Sequence, residues 1–212
     1  MAVPQDNRFF QRGGFEGFTT YGLCQIVTSF EAYRGVHTFH PVRGEFFAVL
    51  DDPRKIDGDG ARKKTSRGPK PADTSYLSIS VDSDGRTTVG ADGAMLECAN
   101  VKIDAGKSLW FHWAFSRFDW SPGNDFAVFE AYDGNGTQGS PVYRQLLTQS
   151  LDLEKTSQWY SDWRVCAWRP DTNFSGTLRW VVSNGLSTST GLPRPGGAAR
   201  PSALLIDCVE ID

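Results

Sequence analysis

The feature that most constrains the fold is a succession of short apolar runs, each closed by residues that favour turns. Within the runs apolar residues recur with period two, whereas the 3.6-residue period of an amphipathic helix is scarce. The runs predicted as strands span 23–30, 45–50, 76–81, 94–103, 109–115, 126–132, 163–168, 177–183 and 203–211. Turn sequences such as 104–106 and 184–185 separate them. About nine short strands spaced in this way predict an all-β, two-sheet antiparallel jelly-roll sandwich.

The run 109–115 shows which side chains are expected to form the core. One face of this strand carries only large apolar side chains, namely Leu109, Phe111, Trp113 and Phe115. The other face carries Trp110, His112 and Ala114. Because successive side chains of a strand point to opposite faces, the first set is predicted to lie between the sheets.

Length and composition indicate one domain over residues 1–212. A chain of 212 residues buries a full core, and its aromatic content of 13% suits a sandwich. The only helical turn predicted lies at 143–150. Long polar loops are predicted at 51–74 and 185–202. The first carries a basic cluster that we interpret as a solvated loop rather than an anion site.

The charge and the apolar runs bear on partners and location. A formal net charge of −3 gives no general attraction for nucleic acid or for an anionic membrane surface. No apolar run approaches the roughly 20 residues that cross a bilayer. The first residues lack the charged and apolar regions of a secretory signal. We therefore expect cytoplasmic synthesis, with virion assembly or non-classical export as routes outward.

The four cysteines are far apart in the sequence and lie in apolar, strand-like contexts. They are Cys24, Cys98, Cys166 and Cys208. None forms the Cys-x-x-Cys pair of a zinc or thioredoxin-type site. We interpret them as buried free thiols, with a Cys24–Cys208 disulfide as the alternative.

Three segments in order resemble a known group of domains. The amino end reads Gly-Gly-Phe-Glu at 13–16, and the carboxyl end reads Leu-Leu-Ile-Asp-Cys-Val-Glu-Ile at 204–211. Between them, 104–115 and 118–128 are similar to a central strand and turn of bacterial surface-protein jelly rolls. Together the segments resemble galactose-binding-like, carbohydrate-binding jelly rolls. The resemblance implies a non-catalytic carbohydrate-binding or adhesion-type module, lectin-like in function.

The resemblance also implies a structural calcium ion held by Glu16 and Asp207, with Asp51 or Asp52 as further ligands. Calcium takes about six to eight oxygen ligands, which carboxylates on neighbouring strands supply in part. Asp207 lies in an apolar strand, where a carboxylate needs a partner to offset burial. The alternatives are that Asp207 caps a backbone amide or pairs with an arginine.

Five aromatic residues are predicted to bind a ligand, because exposed rings stack on the apolar faces of sugars. They are expected on loops or on the face opposite the core, and are Trp110, Trp120, Trp159, Tyr160 and Trp168. The alternative for each is core packing or a protein interface. The partner is accordingly expected to be a glycan or a protein surface, and homo-oligomers are possible.

The sequence gives little support for catalysis. Nucleophile-elbow, P-loop, zinc-protease and dinucleotide motifs are all missing from it. Glu45 and Glu130 would form a glycosidase pair only if folding brought them within about 5 to 10 Å. Asn124 and Asp125 precede a strand and are interpreted as loop anchors. Alternatives to the binding module are a structural jelly roll of a phage, virion or other assembly, and a glycan-active hydrolase or lyase.

Overall fold

A computed structural model describes residues 10–51, 70–81, 87–118, 123–134, 136–187 and 202–212. The described residues form fourteen strands and two short helices. The strands are β1 (Thr19–Tyr21), β2 (Cys24–Val27), β3 (Phe30–Glu31), β4 (Thr38–Phe39), β5 (Phe47–Leu50), β6 (Ala72–Asp73), β7 (Ser78–Ser80), β8 (Thr87–Ile103), β9 (Leu109–Ser116), β10 (Phe126–Asp133), β11 (Tyr143–Gln149), β12 (Arg164–Trp168), β13 (Phe174–Ser187) and β14 (Ala203–Ile211). A 3₁₀ turn covers Tyr33–Gly35, and helix α1 covers Ser150–Lys155.

Two antiparallel sheets form a jelly-roll sandwich, as the sequence predicts. The larger sheet has the order β1-β8-β13-β10-β11, with β6 and β7 also paired to β8. The smaller sheet has the order β12-β9-β14-β5-β2. Successive strands alternate between the sheets in two stretches of the chain: β8, β9 and β10, and then β12, β13 and β14. This alternation brings residues distant in sequence onto neighbouring strands.

The core lies between the two sheets and confirms the predicted alternation. Leu109, Phe111 and Phe115 are fully buried, and Trp113 is nearly so. Trp180 of β13 packs edge-on against Phe111, with ring centroids 5.4 Å apart. Apolar side chains of both sheets therefore form the core. The outer face of each sheet makes different contacts.

Several local predictions are wrong. The segment predicted as a helical turn at 143–150 is strand β11, which pairs with β10, and α1 begins only at Ser150. The turn predicted at Asn184 and Gly185 lies inside β13, where the pairing with β8 shifts register. The described residues also form more strands than the nine predicted: the additional ones are β1, β3, β4, β11 and β6, of which β6 lies in the loop predicted at 51–74. Residues 52–69 and 188–201 lie outside the described residues.

Strands β1 and β2, near the amino end, are not paired directly with the last strand, β14. Strand β5 lies between β2 and β14, while β1 forms an edge of the other sheet. Gly22 allows this crossing, because its φ of +76° favours glycine and a Cβ there would collide with the Gly93 carbonyl oxygen. The turn fixes the preceding residue, Tyr21, at the edge of the larger sheet.

The cysteines are free thiols, as predicted, although Cys24 is only partly buried. Burial raises the pKa of Cys98 and of Cys166 to about 12, so both remain protonated. Within the described ranges, no helix has the length and apolar character needed to cross a membrane.

Candidate functional site

Four charged side chains form a row across the outer face of the larger sheet. Each comes from a different strand, and the row runs Glu97, Arg179, Glu130, Arg144 across β8, β13, β10 and β11. Strand register places Arg179 opposite both Glu97 and Glu130. Register also places Arg144 opposite Glu130. Charges therefore alternate in sign, so that every member of this charged row has an opposite charge beside it.

Arg179 holds the centre of the charged row. Its Nε donates to Oε1 of Glu97 at 2.7 Å, and its Nη2 forms an ion pair with the same oxygen at 2.6 Å. Its Nη1 lies 3.8 Å from Oε2 of Glu130. The Arg179 side chain is only 10% exposed. Water screens such a pair weakly, so these contacts fix the side chains more firmly than a surface ion pair does.

Glu130 is fully buried, accepts three hydrogen bonds and forms an ion pair with Arg144. Tyr76 and Tyr132 donate their hydroxyls to Oε2 at 2.9 and 3.0 Å. Arg144 donates Nε to Oε1 at 2.7 Å, and its Nη2 forms an ion pair with the same oxygen at 2.6 Å. These four donor atoms occupy both oxygens of the carboxylate. Glu130 is thus saturated by protein groups and holds Tyr76 and Arg144 in place.

Two tyrosine rings reach the surface above the charged row. Tyr21 and Tyr76 are 45% and 44% exposed. The hydroxyl of Tyr21 bonds to Glu97, whose negative charge is the main cause of a raised Tyr21 pKa. Burial and the charge of Glu130 raise the pKa of Tyr76. Both phenols therefore stay protonated as hydrogen-bond donors, and each ring is fixed by a different carboxylate.

The guanidinium groups also contact the rings. The Arg179 guanidinium lies 5.6 Å from the ring centroid of Tyr76 and 5.0 Å from that of Tyr132. The Arg144 guanidinium lies 5.9 Å from the Tyr76 ring. These distances are within the range of cation–π attraction. We call the charged row together with Tyr21, Tyr76 and Tyr132 the tyrosine site.

The sequence analysis missed the tyrosine site because its members lie on strands far apart in the chain. A signal was nevertheless present. Glu130 and Arg179 each interrupt an apolar strand, as Asp207 does, and a buried charge needs a partner. The glycosidase alternative would need Glu45 and Glu130 to lie close together. Glu130 belongs to β10 of the larger sheet, whereas Glu45 is exposed just before β5 of the smaller sheet.

The predicted placement of Trp168, on a loop or on the face opposite the core, is wrong. Trp168 is 7% exposed and belongs to the core between the sheets. Its ring stacks on Tyr143 at 5.4 Å and meets Phe174 edge-on at 4.9 Å. Cys166 and Trp168 of β12 are buried while Val165 and Ala167 are exposed, so alternation places Trp168 beside Cys166 in the core.

Trp159 and Tyr160 lie in a second apolar cluster on the outer face of the smaller sheet. The ring of Trp159 lies 4.5 Å from Tyr33 and under the Arg117 guanidinium, 4.4 Å away. Tyr160 stacks on His37 at 4.4 Å with an interplanar angle of 8°. Packing, the alternative stated above, accounts for both rings, although each remains half-buried. Trp120 lies outside the described residues.

Trp110 is placed as predicted, on the face of β9 away from the core. It is 42% exposed, and Val165 on the adjacent strand β12 is 52% exposed. Its side chain hydrogen bonds to Asp212. Trp110 is therefore the one predicted ligand-binding residue, among those described, that presents much of its ring to solvent.

The carboxylates predicted to hold calcium are in contrasting surroundings. Asp207 is fully buried and accepts backbone N–H bonds from Val42, Arg43 and Cys208 at 2.7, 3.2 and 2.7 Å. This is the backbone-capping role that the sequence offered as the alternative. Asp51 is buried and Glu16 is exposed, while Asp52 lies outside the described residues. No group of three His, Cys, Asp or Glu side chains able to hold a metal occurs in the described part. Calcium binding stays a prediction.

Asn124 and Asp125 anchor loops, as predicted. The Asn124 amide donates to Thr88 and Gln149 at 3.0 and 2.9 Å. Asp125 accepts both the amide and the hydroxyl of Ser202, at 2.9 and 2.7 Å. Both residues are 1% exposed. They fix the start of β10 against the start of β14.

Comparisons with known proteins return structural matches only. No protein-family model matches the sequence, and no curated protein matches it. A carbohydrate-binding module, TmCBM61 in complex with β-1,4-galactotriose, is 12% identical with a TM-score of 0.42, and the match covers 100% of this chain and 98% of that one. The K3 adhesin domain of Lys-gingipain from Porphyromonas gingivalis is 11% identical with a TM-score of 0.48, over 96% of each chain.

A third match is the enzymatically active domain of tailspike protein 4 from bacteriophage CBA120. It is 9% identical with a TM-score of 0.43, and the match covers 97% of this chain. This chain spans only 20% of the length of that tailspike chain.

Proposed function

We propose that this chain is a non-catalytic binding module that binds a glycan at the tyrosine site. The observation that carries the proposal is the pair of half-exposed rings, Tyr21 and Tyr76, held by a buried network of charges. Sugars present C–H groups on their faces and hydroxyls on their edges. Aromatic rings pack against the former, and fixed polar groups hydrogen bond to the latter.

The network favours binding by holding the site ready in advance. Tyr76 lies in a turn closed by the hydrogen bond from the Leu77 amide to the Thr74 carbonyl, 3.0 Å long. Its hydroxyl is bound to Glu130, so its ring has little freedom to lose when a ligand docks. A site fixed in its bound conformation avoids part of the ordering cost of association.

The same contacts argue for binding rather than hydrolysis. A glycosidase needs one carboxyl group to protonate the leaving group and a second to act as base or nucleophile. Glu130 is 0% exposed and saturated by four donors, and Arg179 lies between it and Glu97. Both carboxylates are engaged in holding the site together.

A glycan array followed by calorimetry tests the proposal. We expect Tyr76→Ala to weaken binding about tenfold, because the stacking surface is lost. Tyr76→Phe keeps the ring but removes one donor from Glu130, and should retain most of the affinity. Trp110→Ala is the matched control, since it removes an equally exposed ring from the other sheet. Binding that depends on Trp110 and not on Tyr76 would show that the glycan site lies on the smaller sheet.

A protein-binding role is the second candidate function, favoured by the exposed Trp110 and Val165. Strand β12, which carries Val165, is an edge strand of the smaller sheet. Exposed edges with apolar side chains are prone to pair with another chain. Size-exclusion chromatography with light scattering tests this: a structural component of an assembly should form a defined oligomer that Val165→Lys disrupts, whereas a monomer at all concentrations counts against it.

We also propose that the fold binds a structural calcium ion through Glu16 and Asp207, with Asp51 or Asp52. Thermal denaturation with calcium and with EDTA tests this. A ligand that binds only the folded state raises the melting temperature. If the two melting temperatures agree, and Glu16→Gln changes neither, the calcium site does not exist.

A further inference from the structure

The tyrosine site has unequal numbers of free donors and acceptors at its surface. Its two carboxylates are occupied: Glu130 by four donors, and Glu97 by Arg179 and Tyr21. The Tyr76 hydroxyl donates to Glu130 and accepts from Nη1 of Arg179 at 3.0 Å. The tyrosine site therefore offers a docking ligand few free hydrogen-bond acceptors.

Arg144 supplies the donors. It binds Glu130 with Nε and Nη2, which leaves the two N–H groups of Nη1 and one of Nη2 available. Its side chain is 35% exposed, whereas that of its partner Glu130 is 0% exposed. The guanidinium thus turns one edge to the buried carboxylate and the opposite edge outward.

The Arg144 guanidinium lies over an exposed aromatic ring. Its guanidinium carbon is 5.9 Å from the Tyr76 ring centroid. A sugar stacked on this ring brings its ring substituents to the N–H groups of Arg144. A planar guanidinium edge matches a carboxylate, with which it forms two parallel charge-assisted hydrogen bonds.

We propose that the tyrosine site prefers acidic glycans, those carrying a carboxylate such as a uronic acid, over neutral ones of the same length. The inference rests on the proposed function and adds the class of ligand. The preference follows from the free donors of Arg144, together with carboxylates that are already paired.

The test compares two oligosaccharides of equal length, an oligogalacturonate and a β-1,4-linked neutral galactooligosaccharide, by calorimetry. We expect the oligogalacturonate to bind about tenfold more tightly at low salt, the size of one charge-assisted interaction at a partly exposed site. Added salt should reduce that difference, because exposed charges are screened.

Variants assign the preference to Arg144. Arg144→Lys keeps the positive charge but loses the planar edge, and Arg144→Gln loses both. We expect the difference between the two ligands to shrink in the first and to disappear in the second. Arg164→Gln is the control, since Arg164 is exposed on β12 of the smaller sheet and should leave both affinities unchanged. Circular dichroism establishes that each variant is folded.

The outcomes separate this inference from the proposed function. Equal or tighter binding of the neutral ligand, lost in Tyr76→Ala, overturns the acidic preference and leaves the glycan site standing. A preference that persists unchanged in Arg144→Gln overturns the role of Arg144. If neither these ligands nor any glycan on an array binds, the inference and the proposed function both fail.

Discussion

The two outer faces of this sandwich are covered in different ways. On the smaller sheet, β3, β4 and the 159–163 segment form an aromatic lid, defined by Phe30, Tyr33, Phe39, Trp159, Tyr160 and Trp163. On the larger sheet, Leu77 and side chains of the paired strands β6 and β7 form an apolar cluster with Met95 and Val181, and the charged row lies on the same face. Both faces turn away from the same core, yet one is closed by apolar packing and the other by paired charges.

Because one face is covered by apolar packing and the other by paired charges, a substitution on each face affects stability differently. An apolar lid loses stability in proportion to the surface and volume removed. A buried charge network responds more sharply, because removing one member leaves its partners charged, desolvated and unpaired. The lid is therefore suited to cover a sheet, whereas the charged row fixes a few side chains rigidly at one place.

The largest effect is expected from Arg179→Met. This change leaves Glu97 and Glu130 buried without their shared cation, and it should lower the free energy of unfolding by about 3 to 5 kcal/mol. Urea denaturation measures the loss. Arg43→Met is the matched control, since the Arg43 side chain is 65% exposed and its partner Glu210 is 34% exposed. Removing that surface pair should cost less than about 1 kcal/mol. Equal losses in the two variants would mean that the charged row is no more coupled than a surface pair.

Phe39→Ala tests the aromatic lid of the smaller sheet. Phe39 is 1% exposed, and its ring meets those of Tyr160 and Trp163 edge-on at 5.8 and 6.1 Å. Truncation should cost about 3 kcal/mol, at the lower end for a buried phenylalanine because the lid lies near solvent. Glycan affinity should not change, since the lid lies on the opposite sheet. A parallel loss of affinity in folded Phe39→Ala would show that the two faces are coupled.

The sequence was informative wherever one strand carries the whole signal. Strand β14 was predicted at its observed bounds, and the inward face of β9 was identified by alternation alone. The charged row could not be predicted, because its members meet only through the register between strands. The sequence around Glu97 or Arg179 does not show which residue lies opposite on the neighbouring strand. Segment 143–150 was misassigned because Gln, Leu and Arg favour helices locally, while pairing with β10 decides the outcome.

The smallest loss of stability is expected from a substitution of Asp207. It compares a buried carboxylate held by backbone N–H groups with the carboxylates held by Arg179. Asp207 lies on the outer face of the smaller sheet, where backbone N–H groups rather than an arginine satisfy the carboxylate. Asp207→Asn turns one acceptor into a donor that faces these N–H groups, and should cost about 1 to 3 kcal/mol.

The pH dependence of this cost follows from the pKa of Asp207, which burial raises although three backbone N–H bonds oppose the shift. A carboxyl group with a raised pKa in the folded state binds its proton more tightly there than in the unfolded chain. Its contribution to stability is therefore fully present below the unfolded value of about 3.9, and it is lost as pH rises through the folded pKa. Denaturation of wild type and Asp207→Asn at pH 3 and pH 7 should show the larger difference in acid. A difference that grows towards pH 7 would mean that the backbone amides outweigh burial. The smaller sheet would then stabilise its buried charge with backbone N–H groups, where the larger sheet uses Arg179.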